Sequence, residues 1–217
     1  MTQREAWLER IRKVVPYGSS TCSKAAVFMP EEPAVVERAN GCRVWDVDGR
    51  CFIDFRNGLG PITLGYCHPV VDGAVREQLG RGLIFSHPHR LECEVAELVC
   101  DVIPCAEMVR FLKTGGEAIA ACFRLARAHT GREHIVQIGY NGWLNSLAAG
   151  GMVRPGQTSA SAPAGVPAGL AAVHHSAPWD RIAAVEALFD QYPGGIAAVC
   201  EIGRASCRER GEISVVG

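Results

Sequence analysis

At 217 residues, 48% hydrophobic and 21% charged, the chain is long enough to bury a real core and too apolar for a disordered segment. Its 22 Lys and Arg against 23 Asp and Glu leave a formal net charge of -1, without a basic run or basic–aromatic interleaving, which argues against a nucleic-acid partner. No apolar stretch approaches the roughly 20 residues that span a bilayer, and the start, MTQREAWLERIRKVV, is a charged amphipathic helix rather than a signal peptide, so the expected location is the cytoplasm.

The first predicted helix carries Trp7, Ile11 and Val14 on one face and ends before Pro16, leading into a polar loop over Tyr17–Ser23. Arg43–Phe55, RVWDVDGRCFIDF, then predicts two strands around Asp48-Gly49, a dipeptide suited to hairpin turns that require positive φ. From His68 onward helices and strands alternate. Helices are predicted near Pro69–Leu79, Glu92–Val102 and Glu117–Ala128, with a buried strand at Met108–Leu112 and another at His134–Ile138. A Gly/Ala/Pro/Ser-rich passage over Gly150–Gly169 is long enough to be a functional loop. A strand at Leu170–His175, a helix at Trp179–Tyr192 and a strand at Ile196–Cys200 resume the alternation, which implies an α/β fold with a mostly parallel sheet covered by helices.

The ten cysteines are scattered without a C-x-x-C pair, and Cys93, Cys100, Cys105 and Cys122 sit inside apolar patterns, so they are expected to be buried free thiols. Neither His87/His89 nor His174/His175 has a matching Cys or carboxylate set, and no metal site is expected.

The most informative stretch is Met108–Arg127, MVRFLKTGGEAIAACFRLAR, an apolar run joined through Thr-Gly-Gly to an amphipathic helix. Without side-chain bulk in the turn, the amides of Gly115, Gly116 and Glu117 are free to point at an anion with the helix dipole behind them. On this segment alone the alternatives are a phosphate site and a tight turn that binds nothing.

Five segments in order then resemble the class III aminotransferases, fold-type I pyridoxal-phosphate enzymes, and within them the glutamate-1-semialdehyde aminomutase-like group. They are VWDVDGRCFIDF, GPITLGYCHP at Gly60–Pro69, EMVRFLKTGGEA at Glu107–Ala118, RLARAHTGR at Arg124–Arg132 and GYNGW at Gly139–Trp143. The resemblance implies a three-layer large domain, incomplete here, with a small N-terminal helix and β-hairpin lobe. The expected division is 1–58 for that lobe and 59–200 for a partial cofactor-binding domain. It also implies pyridoxal 5'-phosphate as cofactor, a small amino or carbonyl substrate, and a homodimer at full length. Thr114, Gly115 and Gly116 stand where the family holds the cofactor phosphate, and Tyr140 where an aromatic ring stacks on the pyridine. Asn141 stands where much of the family has His. Gly58 and Leu59 replace the Ser and Trp of true aminomutases.

The implied activity is transfer of an amino group from a donor to a carbonyl acceptor, or within one molecule as in the aminomutases; the alternative is a non-catalytic binder of a phosphorylated small molecule. The only lysines are Lys13, Lys24 and Lys113, and none follows the C-terminal strand pattern where the family places its Schiff-base lysine, so the chain as given is expected to be inactive. Residues 201–217, EIGRASCRERGEISVVG, shift to Arg, Glu and Ser and match a translated sequencing adapter over consecutive codons. They are expected to be a non-native tail.

Overall fold

A computed structural model describes residues 1–27, 30–139, 165–179, 181–202 and 212–215. The chain divides into two compact units, Met1–Ser86 and His87–Gly217.

In the first unit, α1 (Gln3–Val14) opens on a reciprocal cap in which Thr2 Oγ1 accepts from the Glu5 amide at 3.2 Å and Glu5 Oε2 accepts from the Thr2 amide at 2.8 Å. Three antiparallel strands follow in the order β1 (Val36–Asn40), β2 (Arg43–Asp46) and β3 (Cys51–Ile53). The predicted hairpin is β2–β3. Its turn is built on buried Asp46, whose Oδ1 accepts from the amides of Asp48 and Arg50 while Oδ2 accepts from Arg50 Nε at 2.7 Å. Gly49 supplies the positive φ of 83° that this turn requires. β1 was not foreseen, because Val-Glu-Arg-Ala-Asn lacks apolar alternation; it gains its place by pairing with β2, with the Arg38 guanidinium 3.7 Å from the Trp45 ring centroid. α2 (Pro69–Leu79) completes this unit, its first residue a proline that needs no amide partner.

The second unit contains α3 (Arg90–Val102), α4 (Gly115–Thr130), β4 (His134–Gly139), α5 (Ala168–Ala172), β5 (His174–Ala177), α6 (Ile182–Gln191), β6 (Ile196–Ile202) and β7 (Glu212–Val215). Its sheet runs β5-β4-β6-β7, with β4 parallel to both neighbours and β7 antiparallel to β6. Successive residues of β4 point to opposite faces, and each face carries a core. Ile135 packs with Ile119, Phe123 and Ala126 of α4 and with Ala198 and Cys200 of β6. Val136 packs with Ala177, Ile196 and the α6 residues Val185, Leu188 and Phe189. Helix, sheet and helix thus form the three expected layers.

Three expectations fail here. Met108–Leu112 is not a buried strand; it is irregular, with Met108, Phe111 and Leu112 exposed. An apolar run becomes a strand only where a neighbour completes its ladder, and none pairs with it among the described residues. The strand expected at Leu170–His175 is displaced to His174–Ala177, because Ala-Gly-Leu-Ala-Ala after Pro167 takes a short helix instead. The cysteines are free among the described residues, yet Cys93 and Cys105 are exposed and only Cys200 is buried. Cys93 lies on α3, which buries no residue, and Cys105 lies in the turn that follows it. No helix among the described residues is long and apolar enough to cross a membrane. Among the described residues no group of three or more metal-ligating side chains occurs.

Candidate functional site

The Thr-Gly-Gly turn becomes the start of α4. Thr114 is extended, at φ -133° and ψ 155°, and forms the N-cap of a 16-residue helix with Gly115 and Gly116 as its first two residues. Glu117 closes a reciprocal cap here as Glu5 does on α1. Its amide donates to Thr114 Oγ1 at 3.2 Å, and its Oε2 accepts from the Thr114 amide at 2.8 Å and from the Thr114 hydroxyl at 3.1 Å.

This cap revises the expected donor set. The Glu117 amide is already satisfied, and the Thr114 hydroxyl proton is turned onto the Glu117 carboxylate. What remains are the amides of Gly115 and Gly116, which precede the first helical bond, from the Ala118 amide to the Thr114 carbonyl at 3.0 Å. Gly116 is buried against the helix, whereas Gly115 is exposed, and a Cβ built on it meets nothing within 4 Å. Two backbone donors without intrahelical acceptors thus stand at the positive end of a four-turn helix, the first of them open to solvent, a site suited to one phosphate oxygen edge. Lys113, the residue before the cap, is exposed.

Tyr140 and Asn141, the other two expected cofactor contacts, lie outside the described residues, as does the Gly/Ser-rich passage through residue 164. They directly follow β4, whose carboxyl end is the sheet edge where ligands of parallel α/β folds bind. The N-terminus of α4 belongs to the same edge, because α4 ends at Thr130 just before β4 begins at the opposite one.

Two constellations were not foreseen. In the first unit, Asp54 accepts from the Tyr66 hydroxyl at 2.7 Å and from the amides of Arg56 and Gly58 at 2.8 and 3.1 Å. Burial by itself raises the Asp54 pKa, but these bonds and one from the Asn57 amide outweigh it and lower the carboxyl below its ordinary value. In the second unit His134, His175 and Tyr192 lie together. The His-His pair at 174–175 was a visible signal, but its partner stands 41 residues away.

Comparison with known proteins gives a consistent result. A profile of the family described as aminotransferase class-III matches residues 26–199. Among solved structures, the chain is similar to an omega-transaminase from Sphaerobacter thermophilus, with 27% identity and a TM-score of 0.79 over 92% of this chain and 47% of that one. It is also similar to a transaminase with PLP bound, at 30% identity and a TM-score of 0.78 over 91% of this chain and 46% of the other. A glutamate-1-semialdehyde aminomutase from Pseudomonas aeruginosa shares the fold, at 22% identity and a TM-score of 0.68 over 90% of this chain and 43% of that one. The chain spans about half the length of these structures.

Proposed function

Because the chain belongs to the class-III aminotransferase family, we propose that it carries the phosphate-holding turn of a pyridoxal-phosphate enzyme that transfers an amino group between an amino donor and a carbonyl acceptor. The observation that supports this most is the start of α4, where neither the Gly115 nor the Gly116 amide has an intrahelical acceptor and Gly115 is open to solvent. When bound, pyridoxal phosphate supplies the carbonyl that takes up an amine and the electron-withdrawing ring that weakens the neighbouring bonds.

The chain's own residues bind and orient. The two amides hold the phosphate, the Thr114–Glu117 cap fixes the turn that presents them, and the α4 dipole adds attraction for the anion. By the family resemblance Tyr140 would stack on the ring, and Asn141 would supply a hydrogen bond without titrating. A proton-moving lysine is not supplied from Lys13, Lys24 or Lys113, so turnover belongs to a longer protein, assembled as a homodimer. The finer reading, transfer between two molecules, is favoured over the aminomutase shift by Gly58 and Leu59, which replace the aminomutase Ser and Trp.

Gly115→Pro tests the phosphate turn. Proline is tolerated at the first helical position, the extended Thr114 before it has the conformation that precedes proline, and no atom lies within 4 Å of the added Cβ. The substitution removes one amide and leaves the helix intact. Losing a hydrogen bond to a charged group costs about 1.5–3 kcal/mol, about ten-fold or more in Kd for pyridoxal phosphate measured by calorimetry. Unchanged affinity with unchanged helicity places the phosphate elsewhere.

A further inference from the structure

His134 opens β4 and His175 is the second residue of β5, so their side chains meet where these strands begin. This is the sheet edge opposite the phosphate turn, which lies a helix length away, about 24 Å along α4. His134 Nδ1 and His175 Nε2 are 2.8 Å apart, and the ring centroids are 5.1 Å apart with planes inclined by 22°. The two imidazoles therefore lie side by side, nearly coplanar, sharing one hydrogen bond. Tyr192 forms the platform under both, its centroid 4.1 Å from His134 and 4.6 Å from His175, with both interplanar angles 24°.

The platform is fixed by backbone. The His134 amide donates to the Gly195 carbonyl at 3.0 Å, and the Gly195 amide donates to the Tyr192 carbonyl at 2.9 Å. A Cβ at position 195 would stand 3.1 Å from His134 Cδ2, so glycine is what lets the ring in.

One nitrogen of the pair must donate and the other accept. An added proton on an outer nitrogen leaves that bond in place, and the Tyr192 face attracts the resulting cation. A second proton turns N–H against N–H and sets two cations side by side. Among the described residues no ion pair offsets that charge. From the end of α6 come the neutral Gln191 and, as its C-cap, Tyr192, whose hydroxyl accepts from Gln191 Nε2; from β6 comes Ile196; the intervening turn offers Gly194 and Gly195. Leading into β4, Arg132 reaches the Ile196 carbonyl, and among the described residues no carboxylate pairs with either ring.

We propose that the His134–His175 pair is a proton-operated latch, closed while at most one imidazole is charged and released when both are, which frees the edge strand β5 from β4. The strand is suited to the role, being four residues long and, among the described residues, paired on one side only. Burial, followed by the charge of His134, lowers the His175 pKa and agrees with the closed pair refusing the second proton. The latch holds the starting edge of the sheet and takes no part in binding phosphate.

Nuclear magnetic resonance on the 217-residue chain tests this, following both imidazoles and the β5 amides from pH 8 to pH 5. The expected result is two separated proton steps, with faster amide exchange in β5 accompanying the second. Coincident, independent steps, or β5 exchange indifferent to the second step, overturn the latch. His175→Gln keeps a neutral polar partner and should abolish the pH step in β5 exchange. A step that persists in this folded variant also overturns the latch, and the wild-type titration decides alone should the variant not fold.

Discussion

Asp54 holds an unusual piece of backbone. Asn57, Gly58, Leu59 and Gly60 all have positive φ, at 49°, 59°, 70° and 116°, in a run fastened by the Asp54 carboxylate. For Leu59 alone the left-handed conformation costs about 1–2 kcal/mol. Burial, with the Asp54 carboxylate beside it, pushes the Tyr66 phenol up to about 12. The pH dependence follows from both shifts. A lowered carboxyl pKa stabilises the fold above the ordinary aspartate range, and that contribution is lost as pH falls through the folded-state value. A raised phenol pKa stabilises it below pH 10, and that contribution is lost as pH rises toward 12. Tyr66→Phe should therefore cost about 1–2 kcal/mol in urea unfolding at neutral pH and flatten the alkaline limb. An alkaline limb as steep as wild type assigns it to another group. Gly58→Ala should be worse tolerated, since its Cβ would meet Ile62 Cγ1 at 2.7 Å in a backbone that alanine resists. At the phosphate turn, Glu117→Gln keeps the reciprocal cap while removing a negative charge from the first helical turn. Pyridoxal phosphate should bind about 2- to 5-fold more tightly to that variant at low salt. Weaker binding means that the carboxylate itself is needed.

The elements owe their legibility to different causes. The α4 face of Ile119, Cys122, Phe123 and Ala126 follows its 3.6-residue period, whereas the expected start at Glu117 falls two residues late, because Thr114 and Glu117 cap the helix from Gly115. Thr114→Ala should cost about 1 kcal/mol of stability by thermal unfolding, with helicity lost first at Gly115–Glu117. A loss no larger than that from Thr21→Ala, on an exposed loop, removes the cap from any energetic role. β4 and β6 were legible because strands buried on both faces are short apolar runs. Met108–Leu112 has the same composition and is not a strand, because composition specifies burial and a neighbour specifies the ladder. β1 shows the converse: a polar segment becomes a strand through its partner. The cap's effect on the phosphate turn was only half legible. Glu117 could be placed at the start of the helix, but which donors it withdraws depends on a rotamer. The His134–His175 contact joins residues whose proximity is set by parallel pairing, which no local pattern encodes.

At the scale of the molecule, apolar surface is abundant where α2 and α3 lie. Val70, Val71, Val75 and Leu79 on one helix, and Leu91, Val95, Leu98 and Val102 on the other, are exposed. Patches of this kind normally meet a partner, so the chain on its own should self-associate, as sedimentation at rising concentration would show; a strictly monomeric chain would remove that expectation. No amine transfer above the free-cofactor background is expected from it with pyridoxal phosphate, an amino donor and a keto acid. Turnover abolished by Lys113→Ala would overturn the assignment of catalysis to a longer protein. β7 carries a different consequence. It lies antiparallel on β6, with Ala198 opposite Val215 and Glu201 opposite Glu212, in a sheet whose other pairings are parallel. β7 is four residues long and, among the described residues, is held by this one ladder at the margin of the sheet. The seam is then a replaceable one. A dye-labelled synthetic peptide of residues 212–217 should trade places with the resident strand, turning the margin of the sheet into a docking port for a reporter.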